Sequence, residues 1–506
     1  ELGDLVQRAA RGLQDLGLKP GDRFALCLPN CPFFVVLYFA VLRVGGVVVP
    51  VNPLYTEREL DHQLRDSGAK MIAVPDLKVI HDKVEKVAPA AGIERIVLVA
   101  MTAMLPRLQG LGFALFKRAD HARVADPALH VTLRRLLANR AAPDPVPLTP
   151  DDVAVLQYTG GTTGTPKGAM LTHANLSANS AQTIRHAGHD PDQPERTLGI
   201  LPLFHVFALT CVLNVTIDLG GEIVLLPRFE MDQLLATLRR KPCTMVFGVP
   251  TIFIAFNDLP DATVPDFRGL RVCTSGGAPL PLDVRQRFEA RTGGRVTEGY
   301  GLTEASPIIT CNPFAGLVKD NSCGLVYPGT VIEIRDPDNP HVILPRGARG
   351  EVCVRGPQVM KGYWQRPEDT AAVFVDGALR TGDIGYFDED GYLFLVDRIK
   401  DVIICGGYNV YPRAIEDAAY QHPAVKEAIA IAIPDPYRGQ SPKLFVAPRE
   451  GMSVTAEELD AFLAERISKI EMPHEYEIRP SLPRTLVGKL SKKELVEEDR
   501  RKRSAP

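Results

Sequence analysis

The run Gln157–Leu176 reads QYTGGTTGTPKGAMLTHANL, and its residue types suit the holding of a polyanion. Gly160, Gly161 and Gly164 let the backbone turn its N–H groups toward closely spaced oxygens. Thr159, Thr162 and Thr163 add hydroxyls, and Lys167 supplies the opposing charge. The Walker phosphate loop is excluded, because its lysine follows Gly and precedes Ser or Thr, whereas here the neighbours are Pro166 and Gly168. A second cluster, Glu298-Gly299-Tyr300-Gly301-Leu302-Thr303-Glu304, reads as one short turn carrying a ring, small residues and a carboxylate. Such a ring stacks on a flat ligand, Thr303 hydrogen-bonds an anionic oxygen, and Glu304 is a hard ligand suited to Mg²⁺. Ser275-Gly276-Gly277-Ala278, directly after an apolar stretch, allows close backbone approach without side-chain chemistry. His205 and Lys489 carry less information alone: a lone His is more often a satisfied packing residue and a lone Lys an exposed one.

The elements that must position these groups follow from hydrophobic spacing. Leu2, Leu5, Ala9, Leu13 and Leu16 fall at helical intervals from the first residues onward, so the sequence is read as starting inside a helix. Phe24 to Leu28 then reads as a buried strand, and Pro32 to Pro50 as a helix plus the strand Val47 to Val51. Arg43 and Gly45-Gly46 cut that apolar run short of the ~20 residues a membrane span needs. Helix 57–66, strand 71–74, helix 77–86 and strand 93–99 alternate, which predicts parallel α/β layers. Residues 105–147 break the rhythm: Phe113, Leu115 and Phe116 precede Lys117, Arg118, Arg123, Arg134, Arg135 and Arg140, with Asp120 and Asp126 diluting the charge. The segment is read as a solvated surface insertion, with contact to an anionic bilayer as the alternative. Further strands are expected at 197–203, 222–226, 244–249 and 270–274. Antiparallel strands follow at 331–334, 350–354 and 391–396. The last hundred or so residues read as strand 402–405, a Gly406-Gly407 turn, a helix from Pro412, strands 429–433 and 444–446, helix 456–467 and strand 476–479.

At 506 residues the chain has room for two or more domains, and its 45% hydrophobic and 24% charged content is that of a soluble globular protein. A net charge of −3 offers no general field for nucleic acid, so attraction to anions must be local. The nine cysteines are odd in number and lack a C-x-x-C pair, which favours reduced thiols and a cytoplasmic setting.

The glycine- and threonine-rich loop resembles the phosphate loop of the adenylate-forming superfamily, which includes acyl- and aryl-CoA synthetases, peptide-synthetase adenylation domains and luciferases. The 298–304 cluster is similar to that family's adenine and metal motif, which implies adenine on Tyr300 and a Mg²⁺ ion on Glu304 and Thr159. Arg380-Thr381-Gly382-Asp383 resembles its ribose motif, and Asp397-Arg398-Ile399-Lys400-Asp401 its hinge, with Arg398 also reaching the ribose. Pro483 to Leu490 resembles its catalytic lysine loop and makes Lys489 the catalytic lysine. His205, after Pro-Leu-Phe, resembles the carboxylate entrance; Phe207, Val249, Thr251 and Gly301 correspond to the acyl pocket wall.

The resemblance implies an α/β protein: a large N-terminal lobe of layered α/β subdomains plus a β-rich subdomain over residues 1–397, then a small mobile α+β domain over 398–506. The hinge is expected at 398–401. The implied ATP and AMP contacts are Thr159 to Gly164, Lys167, Gly276, Gly277, Ala278, Glu298 to Gly301, Thr303, Asp383, Arg398, Lys400 and Lys489. Lys400, Gly406 and Gly407 are expected to serve the CoA step. Within the superfamily, YTGGTTGTPKG and GGYNVYPRAIED most resemble bacterial long-chain fatty-acid–CoA ligases. The expected partners are therefore a fatty acid, ATP and CoA, with Mg²⁺ as cofactor. The reading leaves room for a homodimer and a peripheral contact at the inner membrane face. Two departures bear on CoA: Gly439-Gln440-Ser441-Pro442 lacks the usual acidic residue after Gly, and Ile404 stands where plant aryl-CoA ligases often carry Lys. A ligase for a dicarboxylic or aromatic acid, a carrier-loading adenylation enzyme and a luciferase-like enzyme are the rival readings.

Overall fold

The computed structural model describes residues 1–105, 110, 112–113, 116–124, 126–159, 166–190, 192–485 and 489–504. The chain is organised as two compact units: Glu1–Phe247 with Leu302–Ile308 and Pro357–Ala371, and Gly248–Gly301 with Ile309–Gly356 and Ala372–Pro506.

The first unit is built on a sheet of β1 (Arg23–Leu26), β2 (Val47–Pro50), β3 (Ala69–Pro75), β4 (Arg95–Val99), β5 (His130–Thr132), β6 (Val153–Thr159) and β7 (Lys167–Thr172), in the order β5-β4-β3-β1-β2-β6-β7. All neighbours are parallel except β6 and β7, which form an antiparallel pair around the glycine-rich loop. Helices α1 (Leu2–Asp15), α2 (Pro32–Arg43), α3 (Glu57–Ser67) and α4 (Lys78–Val87) alternate with the strands, as the spacing predicts. Helix α2 is apolar on nearly every side and buries Phe34, Val36 and Leu37 at 0–1% exposure, each contributing about 1.5–3 kcal/mol by leaving water. Thr56 and Glu59 close a capping box at the start of α3, and Gly68 ends that helix in the left-handed region. The same unit carries the parallel strands β8 (Arg196–Gly199), β9 (Glu222–Leu225) and β10 (Met245–Gly248), with β8 in the middle.

Part of the 105–147 insertion is structural rather than superficial. His130–Thr132 forms the edge strand β5, and Leu133 and Leu136 are buried in the short helix after it. The strand expected over 197–203 stops at Gly199. The buried Asn30 amide donates to the carbonyls of Gly199 and Leu201 and accepts from the Leu203 N–H, so this backbone is satisfied without a ladder.

In the second unit, β11 (Val272–Gly276), β12 (Thr297–Gly301), β13 (Ile308–Cys311) and β14 (Leu325–Val326) are neighbours in that order. Two expectations change here. The 270–274 strand lies further on and includes Gly276. The cluster 298–304 is not one turn: Glu298 to Gly301 lie on β12, paired in parallel with Ser275 and Gly276, and only Thr303–Ala305 forms a 3₁₀ turn. An antiparallel sheet follows, with β15 (Val331–Arg335), β16 (Gly350–Arg355), β17 (Phe374–Val375), β18 (Ala378–Phe387) and β19 (Leu393–Arg398). The last sheet contains β20 (Ile403–Cys405), β21 (Tyr408–Val410), β22 (Val425–Asp435), β23 (Gly439–Pro448) and β24 (Glu475–Ile478). Among the described residues, its cores, from Ile403 to Leu463 and from Ile429 to Leu495, draw none from earlier in the chain, as befits a separate C-terminal domain. The expected helix 456–467 ends at Ala464. Gly406 and Gly407 join β20 to β21 with φ of 58° and 84°, the double positive φ of a two-residue hairpin turn.

Candidate active site

The sequence candidates fall into two groups, one in each unit. In the first unit, Thr159 ends β6 directly opposite Lys167 at the start of β7. Gly160, Gly161, Thr162, Thr163 and Gly164, the loop between them, lie outside the described residues. Residues 360–364 run along β7: Lys361 N–H donates to Met170 O, Trp364 N–H to Gly168 O, and Met170 N–H to Gly362 O. This places Tyr363 beside Lys167, whose Nζ is 5.3 Å from the ring centroid. On its other side the Tyr363 hydroxyl donates to Glu304 Oε1 at 2.8 Å, and Met360 N–H donates to Glu304 O. Lys167 and Glu304 therefore meet across one buried ring. Burial and then the Glu304 charge push the Tyr363 hydroxyl well above its ordinary value, so it stays a donor. Lys167 itself is paired with Asp369 at 2.5 Å.

The donor set suits Mg²⁺: Glu304 offers carboxylate oxygen held in place by Tyr363, and Thr159 offers a hydroxyl beside the lysine. His205 caps the Val206–Ala208 turn, its Nδ1 accepting from the Phe207 N–H at 3.3 Å, which leaves the proton of the neutral ring on Nε2. Gln157 on β6 donates to Phe204 O and so ties this loop to the strand that carries Thr159. Thr210 donates to Ser306 O, binding the apolar helix after His205 to the turn that carries Thr303 and Glu304. Phe207 is buried edge-on against Phe247.

In the second unit, Asp383 lies on β18 with Gly382 at φ 73° before it. Its Oδ2 accepts from the Tyr300 hydroxyl at 2.5 Å and its Oδ1 pairs with Arg398 at 3.1 Å. The two residues expected around a nucleoside thus hold the carboxylate expected on its ribose. Gly276 faces Gly299 across β11 and β12. Gly277, at φ 79°, lies under the lysine loop: a Cβ there would stand 2.7 Å from both Cε and Nζ of Lys489, and 3.8 Å from Val249 Cγ1. Lys489 and an acyl-wall candidate therefore converge on one side-chain-free position. Burial, reinforced by the Arg398 charge, lowers the Lys489 ammonium from 10.5 to about 8. Burial likewise raises Glu298 to about 7, although Leu280 N–H donates to its Oε2. Ser275 Oγ, one residue before Gly276, is buried without a hydrogen-bond partner, a polar atom that a bound ligand would satisfy. Val249 caps the helix Pro250–Asn257, which carries Thr251; Ala278 follows the Gly277 turn, and Gly301 ends β12. Lys400 sits in the 3₁₀ turn Ile399–Asp401 and is lowered chiefly by burial.

Residues 1–364 match the family described as AMP-binding enzyme, which is most of the chain. The chain belongs to the AMP-binding enzyme family. Residues 414–489 match the AMP-binding enzyme C-terminal domain. Among curated relatives, the chain is 42% identical over 504 residues to a long-chain-fatty-acid–CoA ligase of Bacillus subtilis (strain 168), covering 98% of this chain and 89% of that one. It is 37% identical over 498 residues to a feruloyl-CoA synthase of Amycolatopsis sp, covering 98% and 92%. Among solved structures, ATP-bound MatB from Rhodopseudomonas palustris superposes with a TM-score of 0.85 at 32% identity, covering 98% of this chain and 93% of that one.

Two residues of this AMP-binding enzyme were not legible as site residues: Tyr363 and Asp369, which flank Lys167 from 196 and 202 positions away. Neither has a glycine-rich frame. Arg413 is a third, donating to Leu395 O while its own N–H donates to Asp397, so it anchors the residues leading into the 398–401 turn. Arg413 stands in GGYNVYPRAIED, a string that carries a family resemblance but no chemistry of its own for this residue.

Proposed function

We propose that this AMP-binding enzyme activates a medium- to long-chain fatty acid with ATP and transfers it to CoA. A carboxylate is a poor electrophile toward a thiol, since attack would have to expel oxide. In the first step a carboxylate oxygen attacks the α-phosphorus of ATP, the bond to the β-phosphate oxygen breaks, and pyrophosphate leaves. In the second the CoA thiolate attacks the acyl carbon and AMP leaves with the bonding electrons.

Two anions must meet in the first step, so cationic groups matter more than bases. Lys167 neutralises the departing pyrophosphate, exchanging Asp369 for phosphate oxygen. Lys489 lies between carboxylate and α-phosphate as an electrostatic clamp. Asp383, presented by Tyr300 and Arg398, receives the ribose hydroxyls. Glu304 and Thr159 would hold Mg²⁺, which when bound would shield the phosphate oxygens. The observation that carries the reading is the meeting of Lys167 and Glu304 across Tyr363, which joins the polyphosphate and metal candidates.

A division at 398–401 into a large and a small mobile domain serves both steps. Turning about Lys400 withdraws Lys489 and brings the open Gly406-Gly407 turn toward the thiol. Val206 to Ile217 carries no charged side chain, which favours an apolar acid over a dicarboxylate. Phe116 is 85% exposed and fits a peripheral contact with the membrane that stores such acids, in a cytoplasmic setting. The test is pyrophosphate release over saturated acids of graded length and over hydroxycinnamates, each with and without CoA. Activity that rises with chain length and needs CoA for turnover supports the proposal. Activity confined to hydroxycinnamates supports the second reading, an aryl-CoA ligase, which the feruloyl-CoA synthase relative favours.

A further inference from the structure

At the β5 edge of the first sheet, the opposite edge from the β6–β7 pair that carries Thr159 and Lys167, three side chains converge. His81 and Glu85 lie one turn apart on α4, and His130 begins the edge strand β5. The two Nε2 atoms are 2.9 Å apart, and His130 Nε2 is 3.7 Å from Glu85 Oε1. Their candidate ligand atoms all lie within 4.8 Å of one another, the single such cluster among the described residues. We propose that His81, Glu85 and His130 form a site for a first-row divalent transition metal, with Zn²⁺ as its natural occupant.

The proton positions argue for it. His130 Nδ1 lies 2.7 Å from the Asp126 carbonyl, which can only accept, so the neutral ring carries its proton there and turns the Nε2 lone pair toward His81. The His81 Nδ1 has its own acceptor, Asp82 Oδ1 at 3.4 Å. The 2.9 Å contact is then a hydrogen bond in which His81 Nε2–H donates to His130 Nε2; a metal would take the place of that proton, move it to Nδ1 and turn a second lone pair into the same space. Each imidazole then binds through Nε2 while its other nitrogen donates to an oxygen, which is how metal-bound histidines are held. Glu85 adds a carboxylate oxygen, giving the two-His, one-carboxylate set that zinc accepts with a fourth position for water.

Access is graded in the right direction: the His81 side chain is fully buried, His130 is 5% exposed and Glu85 19% exposed, so an ion reaches the imidazoles past the carboxylate. Two nitrogen donors select against Mg²⁺, which demands oxygen, so the ion proposed at Glu304 does not compete. A metal here would bind α4 to the short strand β5, which lies at the edge of its sheet among the described residues.

The experiment is a Zn²⁺ titration of the full chain after chelator stripping, in competition with a chromophoric chelator and in millimolar Mg²⁺. Wild type should bind one equivalent and gain thermal stability as it does so. His130→Gln and Glu85→Gln should each weaken binding at least tenfold. Asp82→Asn, at an exposed position that touches no ion, should weaken it by about tenfold through His81 orientation alone. Pyrophosphate release by these variants monitors folding, since none of the three residues is placed in the nucleotide machinery. Tetrahedral Co²⁺ bands in wild type, absent in His130→Gln, would show that imidazole is the ligand. A wild type that takes up no Zn²⁺, or equal uptake by wild type, His130→Gln and Glu85→Gln, would overturn the proposal.

Discussion

Replacing Tyr363 by Phe removes one oxygen and leaves the ring that Lys167 covers. The hydroxyl donates to Glu304 Oε1 at 2.8 Å, and this is a hydrogen bond to a carboxylate expected to hold Mg²⁺. Hydrogen bonds to charged partners contribute about 1.5–3 kcal/mol, so loss of this one should weaken the metal-dependent step about 10- to 100-fold. The cation–π contact of Lys167, 5.3 Å from the ring centroid, survives in Phe and is lost only in Tyr363→Leu, which should cost about 0.5–2 kcal/mol more. The assay is pyrophosphate release against Mg²⁺ at fixed ATP and acid, with thermal unfolding as a control for folding. The apparent Mg²⁺ requirement should rise in Tyr363→Phe while the KM for the acid stays put. A well-folded Tyr363→Phe enzyme with an unchanged Mg²⁺ curve would refute the reasoning, since Tyr363 would then not position the metal carboxylate.

Three further outcomes follow from the second unit. In the proposed first step Lys489 acts as a cation, and burial lowers it to about 8, so kcat/KM for adenylation should fall as pH rises through about 8; Lys489→Arg should carry the falling limb to higher pH. Glu298 is raised from 4.5 to about 7, so it favours folding most below about pH 4.5 and loses that contribution as pH rises through 7. The window is worth about 3 kcal/mol, and denaturant titrations at pH 5 and pH 8 should show a smaller loss in Glu298→Gln than in wild type. Gly277→Ala puts a Cβ 2.7 Å from Lys489 Nζ at a φ of 79°, so adenylation should fall on the order of tenfold while thioester formation from supplied acyl-adenylate is spared.

What the sequence revealed was whatever is written in local order. The alternation of helices α1 to α4 with β1 to β4 is legible because each apolar stripe has its own period and its own stop. Glycine beside threonine and lysine marks a phosphate loop for the same reason: the chemistry is contiguous. Tyr363 and Asp369 were hidden because they reach Lys167 through strand pairing across about two hundred residues, and nothing around them differs from an ordinary loop. Gly-Tyr-Gly lacks strand alternation and so reads as a turn around Tyr300; pairing of β12 with β11 overrides that local preference. The early end of β8 depended on Asn30, a side chain from a distant loop that satisfies the carbonyls a longer ladder would have used. The cluster of His81, Glu85 and His130 shows the same limit, since one partner comes from a three-residue strand inside an apparent insertion.

In the proposed function the labour is divided: Lys489 serves the joining of acid to AMP and then withdraws. Lys489→Ala, assayed separately for adenylate formation from acid and ATP and for thioester formation from preformed acyl-adenylate and CoA, measures that division directly. The first activity should be abolished and the second retained at near wild-type rate. Equal loss of both would contradict that division.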